Sequence, residues 1–194
     1  MSDTIQIIDG TGAVNVKAAV NTAAQLKTFD SNVSAMHTAS LRGDAYSWTA
    51  VTDNLDTTDT ALAVQNTSQK RKLIIQDLYF FGDVPGLIEI HCPAPCTLAT
   101  TSGFVTVGVN LNRRYAAKLA PAIAVSDETA TTFAAANVIL SLMPNETATD
   151  QYGIMVSPLL NGALLLGYGD IIAVDVVGEV ATFTCTISGY YIDL

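Results

Sequence analysis

Basic residues are missing from the last 76 residues of this chain. Lys118 is the last of nine Lys and Arg residues, whereas residues 119–194 contain eight of the 18 acids and carry −8 of the net charge of −9. Proteins that bind nucleic acid place Lys and Arg against the phosphates. The Lys and Arg residues of the first 118 positions are nearly balanced in number by Asp and Glu. We therefore predict no nucleic-acid binding.

Histidine and cysteine are also scarce, with two and three residues. Nucleophilic catalysis needs a base beside the nucleophile, and neither Gly-x-Ser-x-Gly nor a phosphate-binding glycine motif occurs. The candidate zinc ligands cluster in the sequence HCPAPC at 91–96, which offers three of the four ligands that zinc requires. His37 and Cys185 would complete the set only through tertiary contact. We predict no catalytic residue, no cofactor and no metal, and a proline-stiffened loop at 91–96.

Three cysteines do not form an even disulfide framework, and the N-terminus has neither the basic start nor the apolar segment of a signal peptide. We expect folding in the cytosol with reduced thiols, although a Cys92–Cys96 disulfide is sterically conceivable. The most apolar stretch, 157–177, is interrupted by Pro158 and Asp170. It predicts two short strands and a turn rather than a membrane span.

Two motifs have both a functional and a structural interpretation. Asp53, Asp56 and Asp59 lie three residues apart in a Thr-rich turn, a pattern typical of a solvated turn, with a calcium site as the alternative. The tripeptide at 42–44 is Arg-Gly-Asp, which cell-adhesion receptors read. The simpler interpretation of 42–44 is a hinge and turn.

The basic residues supply candidate electrostatic contacts. A triplet at 70–72 precedes a predicted strand, where it either discourages aberrant strand pairing or contacts an acidic patch on a partner. The candidate contacts are Lys70, Arg71, Lys72, Arg113 and Arg114.

From residue 45 the apolar residues recur with a period of two, which predicts β-strands separated by turns. Residues 46–51 and 61–65 read as a hairpin, with Trp48 on the core side. Residues 110–133 read as a long connection or a helix. Further strands are predicted at 73–81, 87–92, 104–109, 138–143, 163–166, 171–177 and 182–188. The predicted fold for 45–194 is all-β, an antiparallel β-sandwich or jelly roll.

Residues 1–44 lack a sustained pattern, apart from a weak helical spacing over 15–29. A loosely patterned arm on a β-domain has little core of its own, which predicts contact with a neighbouring subunit. Hydroxyl-rich composition and only 14% charged residues also suit protein contact. The arm residues predicted to bury apolar surface are Ile5, Ile7, Ile8, Val14, Val16, Val20, Leu26 and Phe29.

Three segments of the chain carry one likeness. The first is IQIIDGTG at 5–12, followed by NVKAAVN at 15–21 and Leu26; the others are GDAYS at 43–47 and LLLGYGDIIAV at 164–174. In this order they resemble small structural proteins of tailed bacteriophages, which implies synthesis in the cytoplasm of a host. The resemblance does not extend to residues 90–160. It depends on the order and spacing of the three segments.

The resemblance implies a virion component, most simply a capsid decoration or cement protein on the head surface. Its partners would be the major capsid protein or other virion proteins, together with further copies of itself, and no residue would be catalytic. A tail, baseplate or head-fibre component and a host-surface glycan-binding sandwich are the alternatives.

Overall fold

A computed structural model describes residues 5–8, 14–18, 34–55, 60–82, 87–92, 98, 104–127, 138–142, 152–155, 164–177 and 180–194. The chain forms two compact units, 1–34 and 35–194. Residues 35–44, which we predicted as the end of the arm, therefore belong to the second unit.

The first unit contains an antiparallel hairpin of β1 (Ile5–Ile8) and β2 (Val14–Ala18), with a register shift between Ile7 and Ile8. The predicted helix over 15–29 is wrong for 15–18, because β-branched Val14 and Val16 alternate with polar residues and favour a strand. Residues 19–29, with Val20, Leu26 and Phe29, lie outside the described residues.

The second unit begins with a short helix, α1 (Ala35–Leu41), which is followed by a cap at Gly43. The Gly43 N–H donates to Ser40 O over 2.9 Å, and the Asp44 N–H donates to Ala39 O over 2.9 Å. These two bonds form a Schellman cap, which requires a left-handed residue after the helix. Gly43 has φ = 71°, so the turn predicted at 42–44 is confirmed.

Twelve described strands of this unit form two antiparallel sheets. Sheet I has the order β11-β5-β14-β3-β8, with β12 also pairing with β5, and sheet II has the order β10-β6-β13-β4-β9-β7. The strands of sheet I are β3 (Ala45–Leu55), β5 (Arg71–Gly82), β8 (Val109–Asn110), β11 (Tyr152–Met155), β12 (Leu164–Leu166) and β14 (Val180–Asp193). The strands of sheet II are β4 (Thr60–Asn66), β6 (Leu87–His91), β7 (Phe104–Val105), β9 (Ala122–Ser126), β10 (Val138–Leu142) and β13 (Ile171–Val177).

The strand order decides between the two predicted architectures. Four neighbours in sheet I, β3-β14-β5-β11, face four in sheet II, β4-β13-β6-β10. In chain order, β3 to β4, β5 to β6, β10 to β11 and β13 to β14 each pass from one sheet to the other. This is the double Greek key of a jelly roll. Strands β8, β9 and β7 extend both sheets on the same side, next to β3 and β4.

Three local predictions differ from this topology. The predicted hairpin of 46–51 and 61–65 is wrong, since β3 and β4 lie in different sheets; local patterns show strands but not their partners. The predicted strand at 104–109 is two short strands, β7 and β8, on different sheets. The segment 110–133 contains a 3₁₀ turn at Arg113–Tyr115 and the unpredicted strand β9.

The core lies between the sheets, where each strand turns alternate side chains inward. Phe183, Cys185 and Ile187 of β14 are fully buried, as their alternation with hydroxyl residues predicts. Trp48 is 1% exposed, which confirms its predicted place in the core. The largest fully buried side chains also include Tyr46, Phe80, Leu55, Leu62, Leu73, Ile75, Leu78, Ile88, Ile90 and Leu166.

Candidate functional site

One predicted contact residue, Arg71, takes part in an internal ion cluster. Its Nη1 lies 2.7 Å from Asp44 Oδ1, and Lys118 Nζ lies 2.6 Å from the same oxygen. The guanidinium also sits 5.4 Å from the ring centre of Tyr191. Asp44 is therefore engaged within the fold, which favours the hinge interpretation of 42–44 over adhesion. Of the other candidates, Lys72 is half-buried, while Lys70, Arg113 and Arg114 are exposed.

A cavity of about 530 Å³ lies beside this cluster, between α1 and the end of β14. Arg42 and Asp193 contribute charges to its wall, while Ala39, Tyr190 and Tyr191 contribute apolar surface. The Tyr191 hydroxyl donates to Pro121 O over 3.0 Å, and burial raises the pKa of its phenol. A neutral, hydrogen-bonded phenol of this kind serves the packing of the fold.

The side of the jelly roll formed by β7 and β8 carries an exposed row of aliphatic side chains, which we call the valine strip. Its members are Val105 (68% exposed), Val107 (64%), Val109 (60%) and Leu111 (43%). A contiguous exposed apolar surface of this kind marks a protein contact far more often than isolated surface residues do.

The residues between the strip positions explain why its side chains point outward. The Thr106 N–H donates to Ala124 O over 2.9 Å, and Asn110 Nδ2 donates to Gly43 O over 2.9 Å. Gly108 lies so close to Trp48 that a Cβ atom there would stand 2.5 Å from the indole nitrogen. Because alternate residues anchor this segment to the body, the residues of the strip face away from it.

A second exposed surface lies on the outer face of sheet I. Tyr79 and Phe81 of β5 are about half exposed, and Thr184 and Thr186 stand opposite them on β14. These side chains line a shallow depression of about 270 Å³. Aromatic rings beside hydroxyls can stack against a sugar or pack against a protein.

Within the described residues, three potential metal ligands lie together on the outer face of sheet II, namely Glu89, His91 and Asp175. His91 Nε2 lies 3.5 Å from Glu89 Oε2 and 3.9 Å from Asp175 Oδ2, and one ligand atom from each residue lies within 4.8 Å of the others. His91 is only 2% exposed, and the two carboxylates are half-buried.

Apart from His91, these three residues differ from the zinc ligands that the sequence suggested, which were those of the 91–96 segment together with His37 and Cys185. Cys92 follows His91 in an extended chain, so its side chain turns to the opposite face, where it packs against the core. Cys185 lies inside the core; Cys92 and Cys185 are both free, and burial raises the pKa of both thiols. Cys96 lies outside the described residues, as do Asp56 and Asp59 of the possible calcium turn.

Sequence reasoning missed Glu89 and Asp175. Glu89 and His91 are two residues apart, so they share a face of β6. Asp175 is the single acid within the apolar strand β13 and stands directly opposite Glu89. Asp175 could have been noticed in the sequence as an acid inside an apolar strand, because burying a charge costs free energy unless the charge is compensated.

No protein-family model, curated protein or solved structure matches the chain. Among the described residues, no helix has the length and apolar composition needed to cross a membrane.

Proposed function

We propose that this protein is a virion structural protein, a capsid decoration protein of a tailed phage that binds the assembled head. The single observation that carries the proposal is the valine strip, a row of outward aliphatic side chains held in place by the fold. The resemblance of three segments to phage structural proteins indicates that the assembly it joins would be a virion. Jelly rolls occur in viral capsid proteins as well as in lectins and cupins, so the fold is compatible with this role but does not define it.

The strip suits contact through side chains rather than through strand pairing. Its flanking strands, β7 and β8, have two residues each, and such short edge strands offer few free backbone groups to another sheet. The occupant we propose is a second copy of this chain.

Charge supports a second copy as the occupant. Arg113 and Arg114 are exposed directly after the strip, while residues 119–194 carry eight acids and no base. In the proposed contact, this basic patch of one copy would lie against acidic residues of the next. Such a contact joins different surfaces, and heterologous contacts of this kind close into rings when the rotation permits.

The N-terminal unit supplies the proposed anchor to the capsid protein. Its candidate contact residues in the hairpin are Ile5, Ile7, Ile8, Val14 and Val16, and many weak anchors act together on one shell. Deleting residues 1–30 is expected to release the protein from particles while the far-ultraviolet circular dichroism of the sandwich is retained. Full occupancy by the truncated chain would show that the anchor lies elsewhere.

Copy number tests the placement on the head. Purified chain is mixed with cognate particles that lack it, and bound copies are counted by quantitative gel and by imaging. Binding over the whole shell supports decoration. A few copies at one vertex or at the tail tip indicate a tail, baseplate or head-fibre component, and no binding contradicts a virion role in this form.

Glycan binding is the second candidate, favoured by the exposed Tyr79 and Phe81. Trp48, the single tryptophan, is buried in the core and is not available to a sugar. Host-surface glycans that bind the native chain but not a Tyr79→Ala, Phe81→Ala double variant would favour this function, provided that both proteins melt at the same temperature.

A further inference from the structure

We infer that Glu89, His91 and Asp175 form a binding site for a divalent transition-metal ion of the Zn²⁺ type, which joins β6 to β13 on the outer face of sheet II. This inference is independent of the proposed role in a virion. It concerns a set of side chains that lies apart from the valine strip.

The distances suit a shared ion better than direct hydrogen bonds. His91 Nε2 lies 3.5 and 3.9 Å from the two carboxylate oxygens, which is longer than the usual 2.7–3.2 Å of a hydrogen bond. Donors held about 2.0–2.2 Å from one tetrahedral ion stand about 3.3–3.6 Å apart. The three ligand atoms lie within 4.8 Å of one another, so an ion between them would require only small shifts of the half-buried carboxylates.

The negative charges of the two carboxylates also favour the binding of a cation at this place. Glu89 and Asp175 are directly opposite each other on antiparallel strands, an arrangement in which like charges destabilise the sheet. A bound dication would offset both negative charges at once.

Backbone irregularities occur at two of the three ligand positions. The pairing of β13 with β4 shifts register between Val174 and Asp175, and the pairing of β10 with β6 shifts next to the partner of His91. Bulges re-aim side chains and are common beside functional sites. His91 itself stands opposite Ala173, which belongs to a small apolar cluster on this face, so its ring is held in a mostly dry setting.

The donor set indicates the class of metal. One imidazole nitrogen with two carboxylate oxygens suits Zn²⁺ and related first-row ions, whereas Ca²⁺ takes six to eight oxygens. Three protein ligands leave a fourth tetrahedral position for water. The partial exposure of both carboxylates gives an ion a path from solvent.

The test uses the full chain after treatment with a chelator, titrated calorimetrically with ZnSO₄. We expect one ion per chain and a rise in melting temperature on addition of Zn²⁺. Co²⁺ should bind in its place and show the visible absorption of a tetrahedral site. Glu89→Gln and Asp175→Asn keep the side-chain shapes, and each should weaken binding at least tenfold and abolish the thermal shift.

Two matched variants serve as controls. Asp193→Asn removes an equivalent charge from an exposed position, and His37→Gln removes the other histidine; both should bind Zn²⁺ as the native chain does. The inference is overturned if the native chain binds no Zn²⁺, if the Glu89 and Asp175 variants bind it unchanged, or if the control variants lose it. Preference for Ca²⁺ over Zn²⁺ overturns the assigned metal class.

Discussion

The valine strip allows a quantitative test of self-association. The perturbation is the triple variant Val105→Thr, Val107→Thr and Val109→Thr, which retains β-branched residues suited to an extended segment. The three native side chains are 68%, 64% and 60% exposed in the single chain. Because these side chains are mostly exposed and belong to none of the hydrophobic clusters of the described residues, the fold of the variant should be unchanged.

The magnitude follows from the exposed area. Full burial of a valine side chain contributes at least about 1.5 kcal/mol, so covering the exposed two-thirds contributes about 1 kcal/mol. Three threonines, whose hydroxyls must also leave water, should therefore weaken association by about 3 kcal/mol, or about 150-fold in the dissociation constant.

Sedimentation velocity over a range of concentrations measures this change. The matched control is Val51→Thr, Ile139→Thr and Val177→Thr, three aliphatic side chains that are 68%, 47% and 47% exposed elsewhere on the jelly roll. The control should associate as the native chain does. Equal dissociation constants for the strip variant and the native chain, at equal melting temperatures, would refute the assignment of the strip as the contact.

Three further outcomes follow from the packing of the second unit. Gly43→Ala should lower stability by about 2 kcal/mol or more, since alanine at positive φ costs about 1–2 kcal/mol and its Cβ would stand 2.5 Å from the Tyr115 ring; an unchanged urea midpoint contradicts this. Thr52→Val should raise stability by about 1 kcal/mol, because the buried Thr52 hydroxyl has no hydrogen-bond partner among the described residues; a lower urea midpoint would show that the hydroxyl is satisfied. Burial raises the pKa of Tyr191 above its usual value near 10, so its contribution to stability should be complete below about pH 10 and decrease as the pH rises further; melting temperatures from pH 8 to 11 should fall less steeply for Tyr191→Phe.

The candidate site could be predicted only in part from the sequence. The sequence drew attention to His91, but it associated this histidine with the neighbouring Cys92 instead of with Glu89. Adjacent residues of a strand point to opposite faces, and residues two apart share one. That rule separates His91 from Cys92 and joins it to Glu89, whereas Asp175 comes from a distant part of the chain.

The valine strip was hidden for a similar reason. The sequence predicted a strand over 104–109 without assigning its two faces, and in the structure the valines of this segment are exposed. The inward positions hold Thr106, Gly108 and Asn110, which the fold uses for hydrogen bonds and close contact with Trp48. Hydropathy alone would assign the larger aliphatic residues to the core, whereas the structure places them on the surface.

The sequence by itself determined the β class, most strand positions, the burial of Trp48 and the turn at Gly43. Each depends on local physics, namely the two-residue period of a strand and the backbone freedom of glycine. The tertiary structure decided the jelly-roll order, the outward valines and the meeting of Glu89 and His91 with Asp175. Backbone hydrogen bonds are the same for every pair of strands, so partners are chosen by the burial of the whole chain and not by any one segment.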